Sequence, residues 1–357
     1  MSSIVYYITG HGFGHAVRSN QVIRSLAKAR PNLRIHVRTM APAWLFGDAV
    51  FHHPQSIDIG IRQSDSLSMG LAETLEACRD LHERFPMLIR QEFGFIKSEQ
   101  AKLVVGDIPP LCFEIAHRAS VPSVAVTNFT WDVIYRAYLQ EYPGFVPLIE
   151  EIERFYNKVG LALILPYPCD MNIFPRREPI PWVARFSSLS KSQARAKFKL
   201  PASATIILLS FGGLGLKGLR WEKLRRLREY FFVATGKADI REGNLLVLPE
   251  KQPHYEDLVR AVDVIITKPG YGIVADAIAH QLPMLYTDRG DFPEYPMLVE
   301  ALCDCATAEF IPQSELLSGN IAPYLETLLQ KPLNWPAVAL NGAEVAAEKI
   351  IKLLENS

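Results

Sequence analysis

Short apolar runs alternate with longer amphipathic stretches along the chain, and the whole alternation occurs twice. In the first half, Val, Ile and Leu concentrate at residues 4–9, 33–39, 103–106, 123–127 and 161–165. Runs this short and this continuously apolar predict parallel strands covered on both faces. Between the first two, Val22, Ile23, Leu26 and Ala27 recur near helical spacing and predict a helix over 16–29. The second half repeats the order, with strands at 205–210, 230–235, 245–248, 262–267 and 283–287 and a helix over 273–280. Parallel strands need crossover connections, so each half reads as one doubly wound, Rossmann-like α/β domain.

Pro166, Pro168, Pro175, Pro179 and Pro181 crowd the stretch between the halves. A residue that fixes its own φ and lacks an N–H makes a stiff linker and a poor central strand. The expected organisation is an N-terminal domain over 1–166, a linker over 167–190 and a C-terminal domain over 191–340. A last helix over 341–357 can cap either domain, with the N-terminal one as the expected partner. The length of 357 residues agrees, because single cores usually stop growing at about 250–300.

Charge narrows the partners. Lys plus Arg and Asp plus Glu both number 38, so no net field draws the protein to nucleic acid. One local exception, residues 217–228 with six basic side chains, predicts either a solvated helix face or a peripheral contact with anionic lipid. Five cysteines without a CxxC pair or a zinc spacing fit a reducing compartment, and no metal site is expected. With neither a signal-peptide pattern nor an apolar run of membrane-spanning length, the expected location is the cytoplasm.

The first strand runs into Gly10-His11-Gly12-Phe13-Gly14-His15 and then a helix. Three glycines make a tight turn that lets a ligand approach the backbone. The spacing is GxGxG and not GxGxxG, and the second strand ends without an acidic residue, which disfavours a dinucleotide cofactor. His15 stands where an imidazole can act as a general base, and Asp107, delivered by the strand over 103–106, can orient it from the same end of the sheet. The plainer alternatives are that His15 caps its helix and that Asp107 opens the turn before Pro109-Pro110.

In the second half, the strand over 205–210 ends in Phe211-Gly212-Gly213-Leu214-Gly215, and the strand over 262–267 is followed by Lys268-Pro269-Gly270-Tyr271-Gly272 and a helix. A strand, a glycine turn and a helix N-terminus together favour a phosphate, through unsatisfied N–H groups and the helix dipole. Asp276 follows within that helix, in reach of ribose hydroxyls or as an acidic residue that merely complements the dipole. The loop Asp288-Arg289-Gly290-Asp291-Phe292-Pro293-Glu294-Tyr295 is dense in groups that bind hydroxyls. Trp131 and Asp132, after the strand over 123–127, and Arg18 are candidates for an acceptor. Trp131 equally fits a packing stripe with Ile134, Tyr135 and Tyr138, and Arg18 an ion pair on the surface.

This order of features resembles the GT-B glycosyltransferases, two Rossmann-like domains facing across a cleft, and in particular the peptidoglycan N-acetylglucosaminyltransferase and plant nucleotide-sugar transferases. The run Gly12-Phe13-Gly14-His15-Ala16-Val17-Arg18 also resembles the UDP-sugar hydrolase of pseudaminic acid synthesis. GHGFGHAVRS and the stretch from Thr127 to Tyr135 resemble the glycosyltransferase-like N-terminal region of plant L-arabinokinases.

The resemblance implies an inverting, metal-independent transferase with no cofactor beyond its nucleotide-sugar co-substrate, expected to be a UDP-sugar. It implies His15 as base with Asp107 as its partner, Gly212, Gly213, Gly270 and Gly272 at the donor diphosphate, and Asp276 at the ribose. Glu294 and Asp291 fall at the donor sugar, Val247 and Leu248 at the nucleobase, and Gly12, Gly14, Arg18, Trp131 and Asp132 on the acceptor side. A nucleotide-sugar hydrolase or 2-epimerase, and a non-catalytic sugar-nucleotide sensor, are the competing readings.

Overall fold

The computed structural model describes every residue except Met1, Asp48, Ala49, residues 64–66, residues 213–215, Ala238 and Ser357. The chain divides into unit 1, formed by Met1–Arg62, Met69–Val183 and Ala339–Ser357, and unit 2, formed by Gln63–Ser68 and Ala184–Val338.

Unit 1 is a seven-stranded parallel sheet with helices along it. Its elements are β1 (Ser3–Ile8), α1 (Phe13–Ala29), β2 (Arg34–Arg38), β3 (Phe51–His53), β4 (Arg62–Gln63), β5 (Met69–Gly70), α2 (Leu71–Glu83) and α3 (Phe85–Ser98). Then follow β6 (Ala101–Asp107), α4 (Leu111–Ala119), β7 (Ser123–Thr127), α5 (Trp131–Arg136), α6 (Val146–Tyr156), β8 (Leu161–Ile164) and β9 (Arg177–Pro179). The sheet order is β3-β2-β1-β6-β7-β8-β9, with the two-residue strands β4 and β5 outside it. Every residue of β1, β7 and β8 is buried, which is why these strands read as unbroken apolar runs.

Unit 2 repeats the plan: α7 (Lys191–Lys197), β10 (Thr205–Ser210), α8 (Trp221–Leu224), β11 (Tyr230–Gly236), β12 (Ile240–Glu242), β13 (Leu245–Pro249) and α9 (Tyr255–Ala261). It continues with β14 (Val264–Thr267), α10 (Tyr271–His280), β15 (Met284–Tyr286), α11 (Tyr295–Cys305), β16 (Ala308–Phe310), α12 (Gln313–Ser318) and α13 (Ala322–Gln330). Its sheet order is β12-β13-β11-β10-β14-β15-β16, parallel throughout except for the antiparallel edge strand β12. In both sheets the order reverses beside the first strand, between β1 and β6 and between β10 and β14. In doubly wound sheets that switch point is where ligands bind.

The final helix, α14 (Gly342–Glu355), returns to unit 1 and packs on α1. Ala343, Ala346, Ala347 and Ile350 form its buried face, opposite a helix whose Val22, Ile23 and Leu26 are also buried. Each such large aliphatic side chain contributes about 1.5–3 kcal/mol by leaving water. The passages at Val183 and Ala339 are fastened together: Trp182 N–H donates to Ala339 O at 3.1 Å, Gly342 N–H to Trp182 O at 2.9 Å, and Val183 bridges Asn341. A side chain at position 342 would collide with the Pro181 carbonyl, so only glycine allows this approach.

Two sequence expectations need correction. Part of the proline-rich linker expected over 167–190 is structured: β9 joins the sheet beside β8 and unit 1 continues to Val183. Pro179 is tolerated because β9 is an edge strand whose outer side needs no N–H donor. The basic stretch 217–228 is not a continuous helix, and its only helical turn is α8.

Candidate functional site

The site in unit 1 grows out of the switch between β1 and β6. Their register sets Ile8 beside Asp107, and Thr9 N–H donates to Asp107 O at 3.1 Å. The chain then turns through Gly12, whose φ of +72° is left-handed and suits glycine, into α1. His15, in the first turn of α1, reaches back so that Nδ1 stands 3.1 Å from Asp107 Oδ1.

Asp107 has no exposed surface, and all four of its acceptor positions are used. Oδ1 accepts from His15 and from Arg18 Nη2 at 2.6 Å, while Oδ2 accepts from Arg18 Nε at 2.8 Å and Ser19 Oγ at 2.6 Å. Burial pushes this carboxyl up, but the Arg18 guanidinium, joined by His15, outweighs burial and holds it well below the usual carboxylate range. A carboxylate that remains ionised can only accept, so the hydrogen-bond network assigns a proton to His15 Nδ1, and in the neutral ring the lone pair is then on Nε2. The His15 ring is fixed edge-on to Phe129, with centroids 5.5 Å apart.

Immediately after Asp107, Ile108 has φ +80°, a conformation that costs a β-branched residue about 1–3 kcal/mol. Tyr156 holds it there, its hydroxyl donating to Ile108 O at 2.7 Å. Strain of this kind next to a fully satisfied carboxylate marks a position fixed by its surroundings.

Several acceptor-side candidates lie elsewhere than the sequence suggested. Arg18 is buried and donates to Asn128 Oδ1 at 2.6 Å in addition to Asp107, so it fixes the dyad and does not project into solvent. Trp131 is 1% exposed, stacked on Tyr135 and edge-on to Phe129. It belongs to the packing stripe, and its indole Nε1–H donates to Asp58 Oδ2 at 2.9 Å. Gly12 and Gly14 are exposed with open space where a side chain would stand, and Asp132 is buried.

Asp58, Ser19 and Asn128 were missed by sequence reasoning, because each acquires its partners only through the fold. Burial pushes Asp58 up to about 6, and the Asp107 charge adds to that, against the lowering effect of Thr9 and Trp131.

The site candidates of unit 2 also gather at a switch point. Ser210 pairs with Thr267 across β10 and β14, which brings the turn at Gly212 beside the turn at Gly270. Gly212 has φ +69°, and a Cβ at Gly212, Gly270 or Gly272 would meet nothing within 4 Å. Gly213 lies outside the described residues. The first turn of α10 has no acidic residue and no side-chain cap, so its N–H groups keep their pull on an anion.

Asp276, the sixth residue of α10, is 1% exposed and held by Arg185: Oδ1 accepts from Arg185 N at 3.0 Å, and Oδ2 from Nε at 2.9 Å and from Nη2. One acceptor position, on Oδ1, remains. Arg185 in turn lies over the Tyr255 ring at 5.1 Å, and Tyr255 donates to Ser210 Oγ at 2.8 Å.

Glu294 is buried and accepts from Arg289 Nη1 at 2.6 Å, whereas Asp291 is exposed. Arg289 lies 4.0 Å over the Phe292 ring and approaches Pro269 O, and so links the acidic loop to the Gly270 turn. Val247 is the last residue of β13 that β12 pairs with, and Leu248 lies just past that pairing. Arg185 was invisible in the sequence because its partner is 91 residues away.

Two doubly wound units of this topology constitute the GT-B fold, and comparison with known proteins agrees. Residues 2–143 match the model of glycosyl transferase family 1. It is 29% identical over 354 residues to the L-arabinokinase of Arabidopsis thaliana, covering 96% of this chain but 33% of that protein. The chain thus spans about a third of the length of that curated relative.

Among solved structures, the spinosyn forosaminyltransferase SpnP superposes with a TM-score of 0.64 at 15% identity, covering 100% of this chain and 95% of its own. MurG of Acinetobacter baumannii gives 0.60 at 15%, covering 99% and 100%. The glycosyltransferase VinC, solved in complex with dTDP, gives 0.57 at 16%, covering 99% and 95%. No described helix is long and apolar enough to cross a membrane.

Proposed function

We propose that this protein moves a sugar from a nucleotide-sugar donor, a UDP-sugar, to an acceptor hydroxyl with inversion and without a metal ion. The observation that carries the reading is the His15 Nδ1 to Asp107 Oδ1 contact at 3.1 Å, anchored by Arg18 and Ser19. In this reading His15 Nε2 takes the acceptor proton, and the acceptor oxygen forms a bond to the anomeric carbon. The bond from that carbon to the diphosphate oxygen breaks, and its electron pair departs with the nucleoside diphosphate. Asp107 stabilises the imidazolium, the role of the buried acid in hydrolase triads.

Unit 2 holds the donor: N–H groups at Gly212, Gly213, Gly270 and Gly272 and the dipole of α10 offset the charge on the leaving group. The remaining lone pair of Asp276 accepts from a ribose hydroxyl while Arg185 stays bound. Glu294 and Asp291 meet the donor sugar, and Val247 and Leu248 the base. The place of action is the cytoplasm, a reading supported by five cysteines with neither a CxxC pair nor a zinc spacing.

The test is donor turnover by His15→Ala over a panel of UDP- and dTDP-sugars, alongside UDP binding. Turnover falls by about 10²- to 10⁴-fold while UDP affinity is kept. Undiminished turnover in the variant overturns the role of His15. Rapid release of free sugar without any acceptor assigns the protein to hydrolysis instead.

A further inference from the structure

Unit 1 contains a cavity of about 330 Å³ outside the His15 dyad, lined by Asp132 and Arg136 of α5, Glu153 of α6, Asp170 from the segment after β8, and the aliphatic side chains of Val133 and Ile173. That volume lies at the small end of the range for small-molecule sites. Three carboxylates face one guanidinium, and that guanidinium is engaged: Arg136 Nη2 donates to Glu153 Oε1. Asp170 is exposed, its Oδ1 accepts from Asn172 N–H at 2.9 Å, and no ion pair reaches it among the described residues.

Asp132 is the decisive residue. It is only 4% exposed, and although Thr130 and the backbone N–H of Asp132 interact with the carboxylate, its Oδ1 has no hydrogen-bond partner among the described residues. A buried acceptor left unmet is costly, and such an atom at a cavity wall is satisfied by whatever fills the cavity. A carboxylate surplus calls for a cation. Among the described residues no group of three or more His, Cys, Asp or Glu is arranged to hold a metal ion, which favours an organic cation. An ammonium group carries three donors on one compact charge, enough to serve Asp132 and Asp170 together, and Val133 and Ile173 offer a dry surface to its carbon frame.

We propose that this cavity binds a small molecule through a primary ammonium group, with Asp132 as its main partner. That the amine is part of the transferase acceptor rests on the function proposed above. That the cavity takes an amine does not.

D-glucosamine in its ammonium form is a suitable probe, with D-glucose as the neutral control of nearly the same shape. NMR titration of the full chain should show saturable glucosamine binding with shifts at Asp132, Arg136, Glu153 and Asp170. Glucose should bind at least about tenfold more weakly, and Asp132→Asn should weaken glucosamine by about tenfold or more, as expected for loss of a charge-assisted bond worth about 1.4 kcal/mol or more. Asp170→Asn should weaken it several-fold and serves if the Asp132 variant folds poorly. Equal binding of glucose, indifference to both substitutions, or no saturable glucosamine binding would each overturn the assignment. UDP titrated into the same samples separates the two claims: if glucosamine binds and UDP does not, the donor reading fails and this one stands.

Discussion

Arg18→Met offers the sharpest test of how the His15 site is built. The substitution keeps an unbranched apolar stem in a position that is 3% exposed and removes the guanidinium. Asp107 then loses two of its four donors and Asn128 loses one. Breaking a buried pair by deleting one partner costs about 3–5 kcal/mol, since the remaining charge has nothing to offset it.

The sign of the pH dependence follows from the same bonds. In the wild type the Asp107 carboxyl is held below its ordinary value, so its contribution is complete above the unfolded value of about 3.9 and is lost only as pH falls through the folded one. In the variant, burial acts without Arg18 and drives the carboxyl up, and each pH unit between the unfolded value of about 3.9 and that raised value adds up to about 1.4 kcal/mol of penalty, which is constant above it. The gap between the two proteins therefore widens as pH rises from about 4 and levels off once pH passes the variant's raised value.

Hydrogen exchange at the amides of β1 and β6 reads this opening in unit 1, and β10 and β14 in unit 2 serve as the internal standard. A loss under about 1 kcal/mol at the upper pH, or a loss independent of pH, would refute the account of Asp107 as an ionised, fully occupied anchor.

Two further tests need no substrate. The indole Nε1–H of Trp131 reports on Asp58, so its NMR shift should titrate with a midpoint of about 6, and a midpoint near that of an ordinary aspartate would show that burial does not act on this carboxyl. Gly106→Ala puts a methyl 2.6 Å from Phe113 Cζ and 2.7 Å from Cys112 Sγ, one residue before Asp107, and should cost about 1–3 kcal/mol in denaturant titration. A neutral outcome would mean that the packing of α4 on β6 is looser than described.

The strands that form the centres of both sheets are legible in the sequence because burial on both faces leaves an uninterrupted apolar run. Residues 123–127 and 205–210 match β7 and β10 residue for residue. The edge strands β3, β9, β12 and β16 are three residues each and only partly buried, and so carry no such run. The pairing of His15 with Asp107 is legible for a topological reason: adjacent parallel strands deliver their C-terminal residues to one end. The partners that fix the carboxylates are not. Arg18 reads as a surface cation on an amphipathic helix, and Arg185 as part of a linker, until the fold brings each against a buried aspartate. Asp58 lies in an irregular segment with no periodicity to read.

Apart from the short segment Gln63–Ser68, unit 2 is, in connectivity, an insertion: the chain leaves unit 1 at Val183 and rejoins it at Ala339, with the two ends bridged through Val183 and Asn341. Halving the chain at its middle would strip α14 from α1 and leave an oily groove open to water. Excising 184–338 and splicing the flanks with a short loop preserves every internal neighbour of the first unit. The separable piece is therefore residues 184–338, flanked on both sides by segments of unit 1.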